Sequence, residues 1–383
     1  MNMPPMDVLH IIPAYKPALQ YGGPTVSVSR LAEAQARCKA RVSVFTTTAN
    51  GPEELDLPAN QPTDLAGVRV WYFRRWTGDH SHFSPALLME LWKTTGQAKI
   101  VHLHSWWNWV AFGAVLICRW RRANLLVSPR GMLSPFTLKS RIRKLFQKTA
   151  GRWLLQGAVL HATSAQEALE LQKLHPKNRC IVLPNCIELP AAEAQPAVVE
   201  NPVFQLLFLS RIDPKKGLDI LVEALSGFGT DWQLTIAGTG AEAYAGRIKN
   251  QITTLGLQEN ITWSGWVDGS EKWRLLAGAD LLVLPSRNEN FANVIVEALA
   301  VGTPVLVSDQ VGLSDYVKKQ NLGWVCTPLQ SQTLRETLHQ AVAATAHRKE
   351  IREQAPAIIR QDFYPQLLAK RYLELYTTVQ CPV

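Results

Sequence analysis

Two glutamates stand eight positions apart in "RNENFANVIVEALAVGTPV" (287–305), Glu289 in a polar stretch and Glu297 in an apolar one. At ~100° per helical residue, eight steps leave ~80° modulo a full circle, so the two carboxylates share no helix face and Glu289 acts from a loop. A carboxylate accepts two hydrogen bonds, which suits one of them to a ribose diol and the other to hydroxyls of a second ring, with phosphates between. Upstream, "LLFLSRIDPKKGLDILVEAL" sets Arg211 directly after an apolar run, with Lys215 and Lys216 ahead of Leu218, Leu221, Val222 and Leu225 at helical spacing. A guanidinium and an ammonium so placed hold a diphosphate, the first bidentate and the second as a point charge; an exposed basic turn is the plain alternative. A helix beginning between Phe291 and Asn293 would add free N–H groups and the positive end of its dipole, and "VGTPV" would end it at Gly302.

These groups need a scaffold. The chain has 383 residues, too many for one ordinary core and enough for two domains of roughly 150–200 residues. Hydrophobic residues make up 47% and charged residues 19%, which excludes a disordered chain. No apolar run approaches the roughly 20 residues that span a bilayer. The start, "MNMPPMDVLHIIPAY", lacks a basic leader and reads as a first buried strand, and the six scattered cysteines without CxxC pairs suit free thiols, so a cytoplasmic protein is expected. The seam lies at "ELPAAEAQPAVVENP" (188–202), with three prolines and no apolar period.

Before the seam, apolar runs at 8–12, 41–47, 67–73, 99–104, 125–131 and 158–164 alternate with segments of helical period; after it, "FQLLFLS", "WQLTIAG", "NITWSGW", "LLVLPS" and "PVLVSD" do the same. Buried strands alternating with helices predict two α/β domains with parallel sheets, 1–187 and 203–362, joined by 188–202 and separated by a cleft. Ligands in such sheets sit at the C-terminal ends of strands. The formal charge of +9 is uneven, +10 over residues 1–200 (23 basic, 13 acidic) and −1 over 201–383 (17 basic, 18 acidic). That asymmetry points to nucleic acid, an anionic membrane or an anionic substrate.

The runs "SRIDPKKGLDILVEA" and "GADLLVLPSRNENFANVIVEALAVGTPVLVSD" resemble the retaining glycosyltransferases of family 4, densely from about residue 205 to 330 and more loosely in the first domain. The resemblance implies the GT-B fold, two Rossmann-like domains with the active site between them. It further implies that Arg211 and Lys216 bind the diphosphate of a UDP- or GDP-linked sugar, Glu297 the ribose and Glu289 the donor sugar. Asn290, Phe291, Ala292, Asn293 and Val294 would complete that pocket, with Gly238 near the base. "NFAN" replaces a more usual G-F-G-x, so Asn290 and Ala292 each stand where glycine is common. In the first domain Gly22 and Gly23 match the family's glycine-rich loop, and His104 of "VHLHSWW" matches the histidine facing the donor hexose, with His102 one step deeper. "SPRGMLSP" matches a subset that assembles polysaccharides, with Arg130 facing the cleft. Trp106 and Trp107 are placed on the acceptor side, stacking on a sugar, or else in the core. The catalytic set would be Arg211, Lys216, Glu289 and His104.

The chain contains no Asp-x-Asp, and the Arg211/Lys216 pair neutralises a leaving diphosphate, so neither a metal nor a cofactor is expected. Glycoside hydrolysis also uses two carboxylates but has no use for a diphosphate grip. Two further alternatives are a binding protein that has lost activity and a nicotinamide-dependent oxidoreductase. The latter rests on "AGTGAEA" (237–243), which satisfies G-x-G-x-x-A but falls in the second unit of its domain. The stretch 138–155 combines Leu138, Ile142, Leu145, Phe146 and Trp153 with six basic residues, as a helix resting on an anionic bilayer or one packed on the core with a solvated basic face. Lipid-linked saccharide acceptors would use the same charge. Nucleic-acid motifs are missing. Residues 363–383 are expected to form a helix crossing back to the first domain.

Overall fold

The computed structural model describes residues 6–190 and 203–379. It divides the chain into two compact units, one up to Ile187 together with Phe363 onward, the other from Glu188 to Asp362. Most of the seam, residues 191–202, lies outside the described residues.

The first unit is built on β1 (Met6–Ile11), β2 (Val42–Thr47), β5 (Pro62–Leu65), β6 (Val68–Phe73), β7 (Ala98–His104), β8 (Leu125–Ser128), β9 (Val159–Ala162) and β10 (Cys180–Val182); β3 (Ala49–Asn50) and β4 (Glu53–Glu54) form a small separate ladder. The sheet order is β10-β9-β8-β7-β1-β2-β6-β5, parallel except for β5 against β6. Consecutive apolar residues such as Val8, Leu9 and Ile11 are buried because helices cover both faces. The helix Pro365–Thr377 covers part of one face, packing Ala369, Tyr372 and Tyr376 with Val8, Leu31, Ile100 and Leu126. Each such buried aliphatic side chain contributes about 1.5–3 kcal/mol.

The second unit holds β11 (Phe204–Leu209), β12 (Trp232–Ala237), β13 (Ile261–Gly265), β14 (Leu281–Leu284), β15 (Val305–Ser308) and β16 (Gly323–Cys326), all parallel, in the order β13-β12-β11-β14-β15-β16. Strand order reverses between β11 and β14 here, and between β1 and β7 in the first unit. At such a reversal the crossovers leave in opposite directions and open a crevice at the strands' carboxyl ends. Arg211 and Lys216 follow β11, Glu289 and Glu297 follow β14, Gly22 and Gly23 follow β1, and His104 ends β7.

The stretch 138–155 corrects the single amphipathic face expected of it. Helix Arg141–Phe146 continues through a π-helical turn, Gln147–Gly151, into Arg152–Leu154. The extra residue in that turn shifts the helical phase. Leu138 and Phe146 pack inward, whereas Ile142 (80% exposed), Leu145 (65%) and Trp153 (51%) face outward among the basic residues.

Candidate functional site

Two glycines bring the polar loops of the second unit together. Gly217 has φ 70°, and a Cβ there would sit 1.9 Å from the Pro285 carbonyl oxygen, so only glycine lets the loop after β11 lie against the loop after β14. Arg287 N–H donates to Lys215 O at 2.7 Å, and its guanidinium grips Asp219 at 2.7 and 2.6 Å, which locks the two loops. Lys216 Nζ then pairs with Glu289, 73 residues along the chain. Glu289 sits on a further backbone anchor, its N–H donating to Gln310 O at 3.1 Å and its O accepting from Gly312 N–H at 2.8 Å.

Glu297 lies in the helix Asn293–Ala300, is buried, and meets Lys272 Nζ at 3.0 Å. Lys272 had no signal in the sequence: "SEKWRLL" reads as an ordinary surface helix. The helix ends in a Schellman arrangement, Gly302 N–H to Leu299 O at 3.0 Å and Thr303 N–H to Ala298 O at 2.9 Å, with Gly302 at φ 86°. At its start Ala292 sits at φ 67°, the left-handed region that glycine enters freely and alanine only at about 1–2 kcal/mol. Phe291 is buried, while Asn290, Asn293 and Val294 are half-buried around it. Arg211 is exposed and has no ionic partner among the described residues. The unit thus presents one unpaired guanidinium and two lysine–carboxylate pairs at its strand-order reversal.

Gly238 and Gly240 have a packing explanation. A Cβ at either would fall 1.9 Å from a backbone oxygen, that of Ser210 or of Ile212, so both glycines are required by the close approach of the 210–212 segment. Close packing therefore requires both glycines, with or without a nucleotide beside the turn.

In the first unit Gly22 caps the helix Gly23–Arg37 at φ 75° with open space where a Cβ would be. His104 and Arg130 differ from expectation. His104 is fully buried, not presented to a hexose: its Nε2 meets His10 Nδ1 at 2.9 Å and its Nδ1 accepts from Arg130 Nε and Nη2 at 3.3 Å. Arg130 is itself only 9% exposed, and its Nη1 donates to Ser27 Oγ at 2.9 Å and Asn185 Oδ1 at 2.7 Å. Trp106 is a core residue donating Nε1–H to Gln147 at 2.9 Å, and half-buried Trp107 donates to Met132 O at 2.6 Å. Trp106 thus belongs to the core, and the ring N–H of Trp107 is engaged.

His10, His102 and His104 bring nitrogens within 4.8 Å of one another, a spacing that metals use. Their lone pairs are already engaged in hydrogen bonds, and Arg130 stands against His104, so the arrangement fits neutral imidazoles better than a cation site. Burial pushes His10 down to about 4 and His161 to about 3, and holds His102 and His104 well below the usual imidazole range. The signal for this cluster was present but unread: each histidine lies in a parallel strand, and His10 and His102 are register partners.

The family model for glycosyl transferases group 1 matches residues 193–357, and that for the glycosyl transferase 4-like domain matches residues 22–186. The D-inositol 3-phosphate glycosyltransferase of Jonesia denitrificans is 27% identical over 398 residues, covering 91% of this chain and 89% of its own. Sucrose-phosphate synthase from Thermosynechococcus elongatus superimposes with a TM-score of 0.76 at 19% identity, over 97% of this chain and 98% of that one. Anabaena HepE, solved with UDP and glucose, gives 0.73 at 19% identity over 97% and 100%. The chain is a glycosyltransferase and belongs, within that class, to the family 4 type with the GT-B fold.

Proposed function

We propose that the protein transfers a hexose-type sugar from a UDP- or GDP-linked donor to a saccharide acceptor, lipid-linked, with retention and without a metal, in the building of a cell-surface polysaccharide. The observation that carries this is the array at the β11/β14 reversal: exposed Arg211, Lys216 paired with Glu289, and Glu297 paired with Lys272. An ammonium has three N–H groups, so Lys216 serves Glu289 and still donates to a phosphate. Charge growing on the departing phosphate oxygens meets Arg211, Lys216 and the N–H groups opening the helix Asn293–Ala300, which lowers the barrier electrostatically. Glu297 holds the ribose and Glu289 the sugar hydroxyls. The leaving phosphate then takes the acceptor's proton on the same face, which gives retention. The UDP and glucose bound by Anabaena HepE and the glycosyltransferase activity named for the Jonesia relative support the donor class.

The test is a thermal-shift panel of UDP, GDP, ADP, their glucose, galactose, N-acetylglucosamine and mannose derivatives, and NAD(H), with chelator present, on wild type and Glu297→Ala. A ligand at 100 times its Kd adds about 2.7 kcal/mol. One nucleotide series should stabilise the wild type and much less the variant; a shift with NAD(H) alone would refute sugar transfer.

Binding to an anionic membrane through 138–155 is part of the proposal. Residues 101–150 hold nine Lys and Arg and no Asp or Glu. Outward-facing Ile142 and Leu145, with the exposed ring of Trp120 (79%) nearby in sequence, supply apolar surface amid that charge. No described helix is long and apolar enough to cross a membrane. Co-sedimentation with phosphatidylglycerol vesicles, and not with phosphatidylcholine, is expected and should drop several-fold in Ile142→Asp/Leu145→Asp. Equal pelleting of the two proteins would show that these side chains do not touch lipid.

A further inference from the structure

A single unbroken chain of hydrogen bonds crosses the interior of the first unit. It runs from Arg130 to His104 Nδ1 (3.3 Å), His104 Nε2 to His10 Nδ1 (2.9 Å), His10 Nε2 to Gln35 Oε1 (2.8 Å), and Gln35 Nε2 to Tyr376 OH (3.1 Å). From Tyr376 it continues to His102 Nδ1 (2.8 Å), His102 Nε2 to Ser128 Oγ (2.6 Å), Ser128 to His161 Nδ1 (2.6 Å), and His161 Nε2 to the Leu183 carbonyl (2.9 Å) and the Tyr372 oxygen (3.0 Å), whose own proton goes to the Pro184 and Leu183 carbonyls (3.0 and 3.3 Å).

The two ends fix the direction of every link. A guanidinium only donates, so His104 Nδ1 accepts and its proton sits on Nε2. That N–H points at His10 Nδ1, which must accept, so His10 carries its proton on Nε2 and faces the Gln35 oxygen. The Gln35 amide nitrogen donates to the Tyr376 oxygen, Tyr376 donates to His102, His102 to Ser128, Ser128 to His161, and His161 to a carbonyl that only accepts. All four histidines are the neutral Nε2–H tautomer, and a proton added to any of them would set donor against donor. Arg130 has no carboxylate within ion-pair distance among the described residues, so its charge is held by neutral acceptors.

We propose that the C-terminal helix orients Arg130 through this one-way chain, which makes Tyr376, Gln35, His10 and His104 positioning residues. The chain itself does not rest on the proposed function, in which Arg130 has no assigned role. Tyr376→Phe would leave the Gln35 amide nitrogen without its acceptor in a buried place. Only flipping Gln35 and moving the protons of His10 and His104 to Nδ1 would change that, and the His104 proton would then face Arg130 and displace it.

The experiment is long-range ¹H–¹⁵N spectroscopy of the full-length protein labelled at histidine and arginine, at pH 7. In the wild type His10, His102, His104 and His161 should all show Nε2–H shifts; an Nδ1–H or charged ring at any of them overturns the chain, and this arm needs no variant. In Tyr376→Phe the Nδ1–H population at His104 should rise about tenfold and the Arg130 Nε signal should move, while His161 stays unchanged. A lower melting temperature with His10, His104 and Arg130 signals unchanged would overturn positioning and leave Tyr376 a packing residue. Should the nucleotide panel fail while these tautomers hold, the function is wrong and the chain stands.

Discussion

Lys216→Ala is expected to lower kcat by about 10²–10³, roughly 3–4 kcal/mol of transition-state stabilisation, in steady-state transfer from the nucleotide sugar that the binding panel selects. Two effects add. The ammonium that meets the growing phosphate charge disappears, and Glu289 loses the cation that the structure places on its carboxylate. Glu289 is mostly buried, and removing one partner of such a pair leaves an uncompensated charge. The double variant Lys216→Ala/Glu289→Ala should therefore lose much less than the product of the two single losses. A loss under about threefold, with a normal melt, would show that Lys216 only ties two loops together.

Acidification from pH 7 to 5 should unfold the first unit while the second remains folded. The folded-state values of His10, His82, His102, His104, His161 and His175 lie below the unfolded value of about 6.5, so in that interval the unfolded chain binds more protons than the native one. The stabilisation is complete above about pH 6.5 and is lost as pH falls toward the folded values, about 4 for His10 and about 3 for His161, both set mainly by burial. At pH 5 a histidine held neutral, as His10 and His161 are, costs on the order of 2 kcal/mol, and His102 and His104, held well below the usual imidazole range by burial, act in the same direction. His82 and His175, also pushed to about 4 by burial, act in the same direction. Glu170, raised to about 7 by its half-burial, opposes them as one group. The other groups facing the four histidines are Arg130, Tyr372 and Tyr376, none of which gains a charge that offsets an added proton at pH 5. Hydrogen exchange at pH 7 and 5, read separately over 6–187 and 203–362, measures this. Equal protection of the first unit at both pH values would mean that the buried rings accept protons without breaking the chain.

Much of this architecture was legible in the residues. All eleven apolar runs fall on strands, because a strand buried on both faces needs a continuous apolar run and flanking turns, which is a local signal. The strands left unread are the two-residue ladder β3 and β4 and three sheet edges, β5, β10 and β16, with half-exposed residues such as Cys180, Ile181, Trp324 and Val325, where burial no longer demands an apolar pattern. The placing of Arg211 and Lys216 after β11, and of Glu289 and Glu297 after β14, was legible because the strands themselves were. The outward side of Ile142 and Leu145 was not, since apolar spacing alone does not say which side of the short helix Arg141–Phe146 meets the core.

The sequence by itself determined the alternating α/β plan, the glycines at 217 and 302 and the charged side chains available to a diphosphate. Only tertiary structure decided who pairs with whom. Lys216 reaches Glu289 because Gly217 lets one loop lie on another, Lys272 finds Glu297 from a different helix, and Trp106 goes to the core. His104 and Arg130 end in the interior because parallel pairing stacks His10, His102 and His161 beside them, and a buried polar group there must be matched donor to acceptor. That matching joins atoms up to 341 residues apart, from Gln35 to Tyr376, beyond the reach of any local pattern.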